Sequence, residues 1–140
     1  MNGYLLDTNV VLELVKPAPD ANVVDWVENA DESGLFLSVL TLGEIRNGIE
    51  KLRDGRRRAR LETWLQVDLR SRFEHRLLPI NEAVADRWGT ISAIAANNGR
   101  PLPLVDGLLA ATALEHNLTF VTRDDSAVAA TAVSTLNPWL

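Results

Sequence analysis

The chain reads as an α/β protein built on a mostly parallel sheet with helices on both faces. Two observations carry that reading. Short apolar runs of strand length alternate with stretches of three- and four-residue apolar periodicity along the whole 140 residues. Successive strands with a helix between them form right-handed βαβ units, which make parallel sheets. No internal repeat, low-complexity stretch or compositional boundary divides the sequence, so residues 1–140 are expected to form one domain, which is large enough to bury its own core.

The first element is Tyr4-Leu5-Leu6, an apolar run that passes directly into Asp7-Thr8-Asn9. This pattern predicts a buried strand with Asp7 at its carboxyl end, the rim where open α/β sheets place ligands. Asp7 also precedes a helical stretch, Val10 to Val15, and capping that helix is its alternative role. Lys16-Pro17-Ala18-Pro19 stops that helix. Asp20 can cap the next, over roughly residues 20–30, in which Val23, Val24, Trp26 and Val27 are apolar. Glu32-Ser33-Gly34 is a turn, and Leu35-Phe36-Leu37-Ser38 a second strand.

Thr41-Leu42-Gly43-Glu44 opens a helix with Leu42, Ile45, Ile49 and Leu52 on one stripe. Its Thr-x-x-Glu spacing matches a capping box, which gives Glu44 a structural role. Asp54-Gly55 breaks the pattern. A helix over roughly 57–73 follows, with Leu61, Leu65, Leu69 and Phe73 four residues apart. Leu77-Leu78-Pro79-Ile80 is a third strand, placed at an edge by its proline. Asn81 caps a helix lined by Val84, Trp88, Ile91 and Ala95, which closes at Asn98-Gly99-Arg100-Pro101. Asp106 starts a further helix that ends at Asn117, and Leu118 to Thr122 is the clearest strand, running into Arg123-Asp124-Asp125. Ala132-Val133 is expected to be the last strand.

Composition narrows the chemistry. No apolar run reaches the roughly 18–20 residues that span a bilayer. The N-terminus shows neither a basic n-region nor a signal-like apolar stretch, so a cytoplasmic location is expected, with no membrane partner. There is no cysteine, and His75 and His116 stand alone, which excludes thiolate sites and argues against zinc. A metal here would be held by oxygen and would be hard. Net charge is −5, yet ten of the fourteen Lys and Arg residues lie between positions 46 and 76. Arg46, Arg56, Arg57, Arg58 and Arg60 form a candidate phosphate footprint. The same residues read equally as a solvated helical corner.

Asp7 and Asp124 end predicted strands, while Glu44 and Asp106 begin predicted helices. Carboxyl ends of parallel strands gather on one edge, and each acid taken alone has a capping or turn role. Four of them converging in one metal-sized pocket would repel one another unless a divalent cation were present. Such a cation lowers the pKa of a bound water and neutralises phosphoryl charge, which is phosphodiester nuclease chemistry and needs neither His nor Cys. A haloacid-dehalogenase-like phosphotransferase would place a second Asp where Asn9 stands. A receiver domain would need a late Lys, and Lys16 and Lys51 are the only two lysines.

The chain resembles the PIN-domain toxins of the VapC and FitB kind over essentially its full length. The resemblance rests on five segments in order. They are Leu5-Leu6-Asp7-Thr8-Asn9-Val10, Ser38 to Gly48, Asp106 to Ala113, Val121-Thr122-Arg123-Asp124, and Asn137-Pro138-Trp139. It implies an α/β/α sandwich and a Mg²⁺- or Mn²⁺-dependent endoribonuclease, the toxin half of a type II toxin–antitoxin pair. Asp7, Glu44, Asp106 and Asp124 would be both the catalytic acids and the metal ligands. Thr8, Asn9, Thr122 and Ser38 would orient carboxylates and waters. Many relatives read Thr-Arg-Asn with an Asp three residues on. Here Ala127 holds that later place and Asp124 stands where the Asn would be, as in the FitB-like variant, with Asp125 the adjacent candidate. The resemblance further implies an RNA substrate, a homodimer whose two acid pockets open into a shared groove, and a cognate antitoxin through which alone operator DNA is met. Val11, Leu14, Val15, Val24 and Val27 are the expected antitoxin groove. The alternative function is a weakly catalytic or non-catalytic PIN-fold binding module that acts with its antitoxin on operator DNA.

Overall fold

The computed structural model describes residues 3–140. Five strands, β1 (Gly3–Leu6), β2 (Leu35–Ser38), β3 (Leu77–Leu78), β4 (Leu118–Val121) and β5 (Thr135–Leu136), form one sheet in the order β3-β2-β1-β4-β5. Every pairing is parallel. The chain steps outward from β1 through β2 to β3, then returns to β4 on the other side of β1. Strand order therefore reverses at the β1–β4 seam, the position where open α/β sheets bind ligands beyond the strands' carboxyl ends.

Side chains alternate across the sheet with period two and feed two cores. Leu6, Leu35, Leu37 and Val121 face a core shared with Val10, Val23, Ile45, Leu65 and Phe73. Leu5 and Phe120, paired in register across β1 and β4, face a second core with Val84, Ile91, Leu109 and Ala113. The first face is covered by α1 (Thr8–Glu13), α2 (Ala21–Asn29), α3 (Val39–Glu50), α4 (Gly55–Thr63) and α5 (Arg70–Arg72). The second is covered by α6 (Glu82–Asn97) and α7 (Leu104–Glu115). The result is the three-layer α/β/α sandwich.

Local chemistry sets the helix starts. The side chains of Asp20, Asp54 and Asn81 each accept backbone N–H bonds at the start of α2, α4 and α6. Asn117 ends α7 at φ 55°, a left-handed conformation that Asn tolerates. Buried Glu13 accepts from the Lys16 ammonium at 2.8 Å and from the Asp20 backbone N–H at 2.9 Å, tying together the turn between α1 and α2.

Four sequence expectations need correction. The helix carrying Glu44 starts at Val39, and its cap is Ser38, whose hydroxyl accepts from Leu40 N–H at 3.0 Å. Thr41 and Glu44 therefore form no capping box, and both side chains are free for other partners. The helix expected over 57–73 is broken by a π-helical segment, Trp64–Leu69, between α4 and α5. A strict four-residue apolar spacing outruns a turn of 3.6 residues, and the wider turn keeps Leu65, Leu69 and Phe73 buried together. The third strand is only Leu77–Leu78, at the sheet edge as its proline indicated. The last strand is Thr135–Leu136 and not Ala132-Val133, because the partners of Phe120 and Val121 on β4 fix its register.

Candidate active site

Asp7 stands just beyond β1, with its backbone N–H bonded to Val121 O at 2.9 Å across the β1–β4 seam. It is both a rim residue and a cap: its Oδ1 accepts from Thr8 N–H at 2.8 Å as α1 begins. Its Oδ2 accepts from the buried Thr122 hydroxyl at 2.8 Å. Burial pushes the Asp7 carboxyl above the ordinary Asp range. The Thr122 and Thr8 hydrogen bonds offset part of that rise, and the charge of Glu44 adds to it.

Glu44 lies one turn and a half into α3, exposed, on the β2 side of Asp7. The Thr8 hydroxyl donates to its Oε1 at 2.6 Å and lies 3.2 Å from the hydroxyl of buried Thr41. Thr41 thus belongs to the surroundings of the acids. The sequence reading missed this because Thr-x-x-Glu also spells a cap.

Asp106 occupies the first turn of α7, which descends from the carboxyl edge before β4 rises again. Its pKa is raised by burial first, then by the charges of Asp7 and Asp124. Asp106 is therefore on the same edge as Asp7, a point that strand order alone left open. Next to it, Gly107 lets α6 approach closely. A Cβ there would lie 3.1 Å from the indole of Trp88, whose buried Nε1 has no hydrogen-bond partner.

Asp124 is exposed beyond β4, where its Oδ1 accepts from Ser126 N–H at 3.1 Å and its own backbone N–H reaches Thr122 Oγ1 at 3.3 Å. Its charge acts on Asp106. Asn9 has a buried side-chain oxygen with no donor. Among the described residues Ser38 makes no hydrogen bond to the four acids, and its hydroxyl caps α3.

The four acids are linked through space as Glu44–Asp7–Asp106–Asp124, and none has a salt-bridge partner among the described residues. As placed, no three His, Cys, Asp or Glu side chains among the described residues stand close enough to enclose an ion, so the expected metal-sized pocket is an open ring. The donor set still fits magnesium or manganese. It is all oxygen, the charge of Glu44 raises the Asp7 pKa and the charges of Asp7 and Asp124 raise that of Asp106, and Asn9 has a buried acceptor without a donor. Magnesium takes only one or two carboxylates directly and keeps several waters, which suits an open ring.

The arginines are placed differently. Arg58 pairs with Glu50 and with Glu62, the latter at 3.3 Å, and Arg46 lies 3.5 Å from Glu62. Arg72 and Arg76 clamp Glu32 at 2.9 and 3.0 Å. Arg56, Arg57 and Arg60 are exposed on α4. Arg57 and Arg60 join Leu12, Val15, Lys16, Pro17, Leu61 and Trp64 in lining a cleft of about 460 Å³. Val11 and Val27, expected to be uncovered, are buried in the core, because α1 and α2 pack their apolar faces onto the sheet.

A parallel sheet sandwiched by helices, with acids ranged along its carboxyl edge, is the architecture of PIN domains. The PIN-domain family profile matches residues 4–133, and the chain belongs to that family. Within it, the chain is 36% identical to Toxin FitB of Neisseria gonorrhoeae over 135 residues, covering 96% of this chain and 97% of that protein. It is 33% identical to VapC ribonuclease Y4jK of Sinorhizobium fredii, covering 96% of each. The structure of FitAB bound to an IR36 DNA fragment superposes with a TM-score of 0.93 at 34% identity, covering 98% of this chain and 96% of that one. No helix among the described residues is long and apolar enough to cross a membrane.

Proposed function

We propose that this PIN domain, a single unit over residues 1–140, is a metal-dependent endoribonuclease and the toxin of a type II toxin–antitoxin pair. The observation that carries the reading is the run of four mutually repelling acids at the strand-order reversal, backed by hydroxyls rather than by cations. The names of its relatives, a toxin and a ribonuclease, support the same reading.

Asp7, Glu44, Asp106 and Asp124 would hold Mg²⁺ or Mn²⁺, which when bound supplies a lowered water pKa and neutralises charge on the phosphate. Thr122 fixes Oδ2 of Asp7 and the Thr8 N–H fixes Oδ1, so this carboxylate is held at both oxygens. Thr8 also fixes Glu44 through its hydroxyl. Asn9, whose buried side-chain oxygen has no donor, would help orient the carboxylates or waters of the site. With water as nucleophile and the 3′-oxygen leaving, the products carry 5′-phosphate and 3′-hydroxyl ends.

The antitoxin would lie in the cleft between the end of α1 and α4. Apolar Leu12, Val15, Leu61 and Trp64 suit a helix or extended segment there, and Lys16, Arg57 and Arg60 suit one that carries acids. The FitAB structure holds DNA. With a net charge of −5 on this chain, operator DNA is met only through the antitoxin. We place the toxin in the cytoplasm as a homodimer with its acid rings opening into a shared groove. Induced expression with RNA-end sequencing tests the activity. New 5′-phosphate ends with the wild type and none with Asp7→Asn support it. Growth arrest without RNA cleavage, accompanied by retained operator binding of the antitoxin complex, would favour the non-catalytic binding module.

A further inference from the structure

We infer that Thr41 is a positioning residue for the Glu44 carboxylate, acting through the hydroxyl of Thr8. The inference rests on the nuclease reading above, in which Glu44 is a cation ligand. Thr41 and Glu44 are three residues apart on α3, hence on one face of the helix, and Thr8 at the start of α1 sits against both.

Counting hydroxyl protons fixes the direction of the relay. Thr8 has one proton and two acceptors in reach: Glu44 Oε1 at 2.6 Å and Thr41 Oγ1 at 3.2 Å. The shorter contact lies in the range of a hydroxyl donating to a carboxylate, so the proton goes to Glu44. Thr41 is fully buried and makes no other side-chain hydrogen bond among the described residues. Its proton then has the Thr8 oxygen as its acceptor. The chain runs Thr41 O–H to Thr8 O–H to Glu44 Oε1, and each bond polarises the next. Its base is a buried helical side chain and its tip is an exposed carboxylate. Without the Thr41 donor, the Thr8 hydroxyl is free to turn and Glu44 loses its fixed rotamer.

The test measures Mn²⁺ affinity by calorimetry for wild type, Thr41→Val and Thr41→Ser, each also in a Glu44→Gln background. Valine keeps the shape and removes the hydroxyl, while serine keeps the hydroxyl. Thr41→Val is expected to weaken Mn²⁺ binding about tenfold, the low end for losing an outer partner of a ligand. Thr41→Ser should restore most of it, and Thr41→Val should change nothing further once Glu44 is Gln. Equal affinity of Thr41→Val and wild type would overturn the inference, as would an equal loss in the Glu44→Gln background. If Thr41→Val does not fold, proton NMR of the metal-free wild type decides. Protected hydroxyl protons on both threonines, with that of Thr41 directed at Thr8, support the relay, and a Thr41 proton directed at the helix backbone overturns it. A wild type that binds no Mn²⁺ would overturn the cation reading itself and this inference with it, an outcome distinct from a wild type and a variant that bind alike.

Discussion

At the carboxyl edge of the sheet, Asp7, Glu44, Asp106 and Asp124 meet hydroxyls, backbone N–H groups and one another. Along α4 and the end of α3, Arg46 and Arg58 meet Glu50 and Glu62. In sequence the arginine-rich stretch is the louder signal, six basic residues in ten against one acid. In the fold it is the quieter one, because part of its charge is answered by neighbouring acids and much of the rest faces water, where ion pairs contribute little. The four acids are scattered over more than a hundred residues, yet their charge has no ion-pair partner among the described residues and two of them, Asp7 and Asp106, are at least partly buried. Charge that a protein gathers without balancing is what points to a ligand.

The sharpest way to break this contrast is at Asp7. Asp7→Asn keeps the shape and, through its one amide oxygen, the cap of α1, while removing one charge and the acceptor of the Thr122 hydroxyl. Cleavage of RNA should fall by at least about 10²–10³, the cost of losing one element of a preorganised electrostatic site. A kinetic assay on a purified transcript reads this directly, and activity near that of wild type would place the acids outside the chemistry.

Next comes Thr122→Val. It leaves Asp7 Oδ2 without its donor in a buried position and removes the acceptor of the Asp124 N–H. Unfolding by denaturant should show a loss of about 1–3 kcal/mol, the cost of an unsatisfied buried polar group. A neutral result would mean that Asp7 is better hydrated than its burial indicates.

The pH dependence sharpens the same point with a sign. A carboxyl whose folded pKa is raised binds more protons in the folded state, so its ionisation lowers stability as pH rises through that interval. Asp7 is such a group, while Glu13 and Glu32, held low by Lys16 and Arg72 respectively, act in the opposite direction. Comparing wild type with Asp7→Asn isolates Asp7. Without metal, the variant should melt higher at neutral pH, and the gap should close as pH falls towards the ordinary Asp value of 3.8. Thermal melts across that range check it, and a gap that widens on acidification would reverse the sign.

The smallest effect belongs to the arginines. Replacing Arg56, Arg57 and Arg60 with Ser should weaken RNA binding and flatten its salt dependence, with stability changed by less than about 0.5 kcal/mol. Arg58 belongs in a separate variant, because its pairs with Glu50 and Glu62 join α3 to α4. An unchanged salt slope would return the whole stretch to a solvated corner.

Much of this architecture could be read from residues alone, and most of the exceptions share a cause. Strand–helix alternation, the caps at Asp20 and Asn81 and the central place of Asp7 follow from local pattern, because capping and amphipathicity act within a few residues. The Ser38 cap and the π-helical segment are local, but most of what was misread or left open depends on partners far along the chain. Glu44 looked like half of a capping box, and only the approach of α1 shows that Thr8 holds it. Strand β5 is two residues long, too short to carry a period, and its position is dictated by β4. The side of the sheet on which Asp106 arrives is fixed by the return of the chain to β4, which no local spacing encodes. The ion pairs of Arg58 and the clamp on Glu32 are likewise tertiary.

The central claim is that the unbalanced acids exist to hold a cation for RNA hydrolysis. The most direct test incubates a defined RNA with Mg²⁺, Mn²⁺, Ca²⁺ or EDTA and maps the product ends. Cleavage with Mg²⁺ or Mn²⁺, little or none with Ca²⁺ because of its looser geometry, none in EDTA, and 5′-phosphate with 3′-hydroxyl ends is the expected result. Full activity in EDTA, or 2′,3′-cyclic phosphate ends from attack by the RNA's own 2′-hydroxyl, would contradict it.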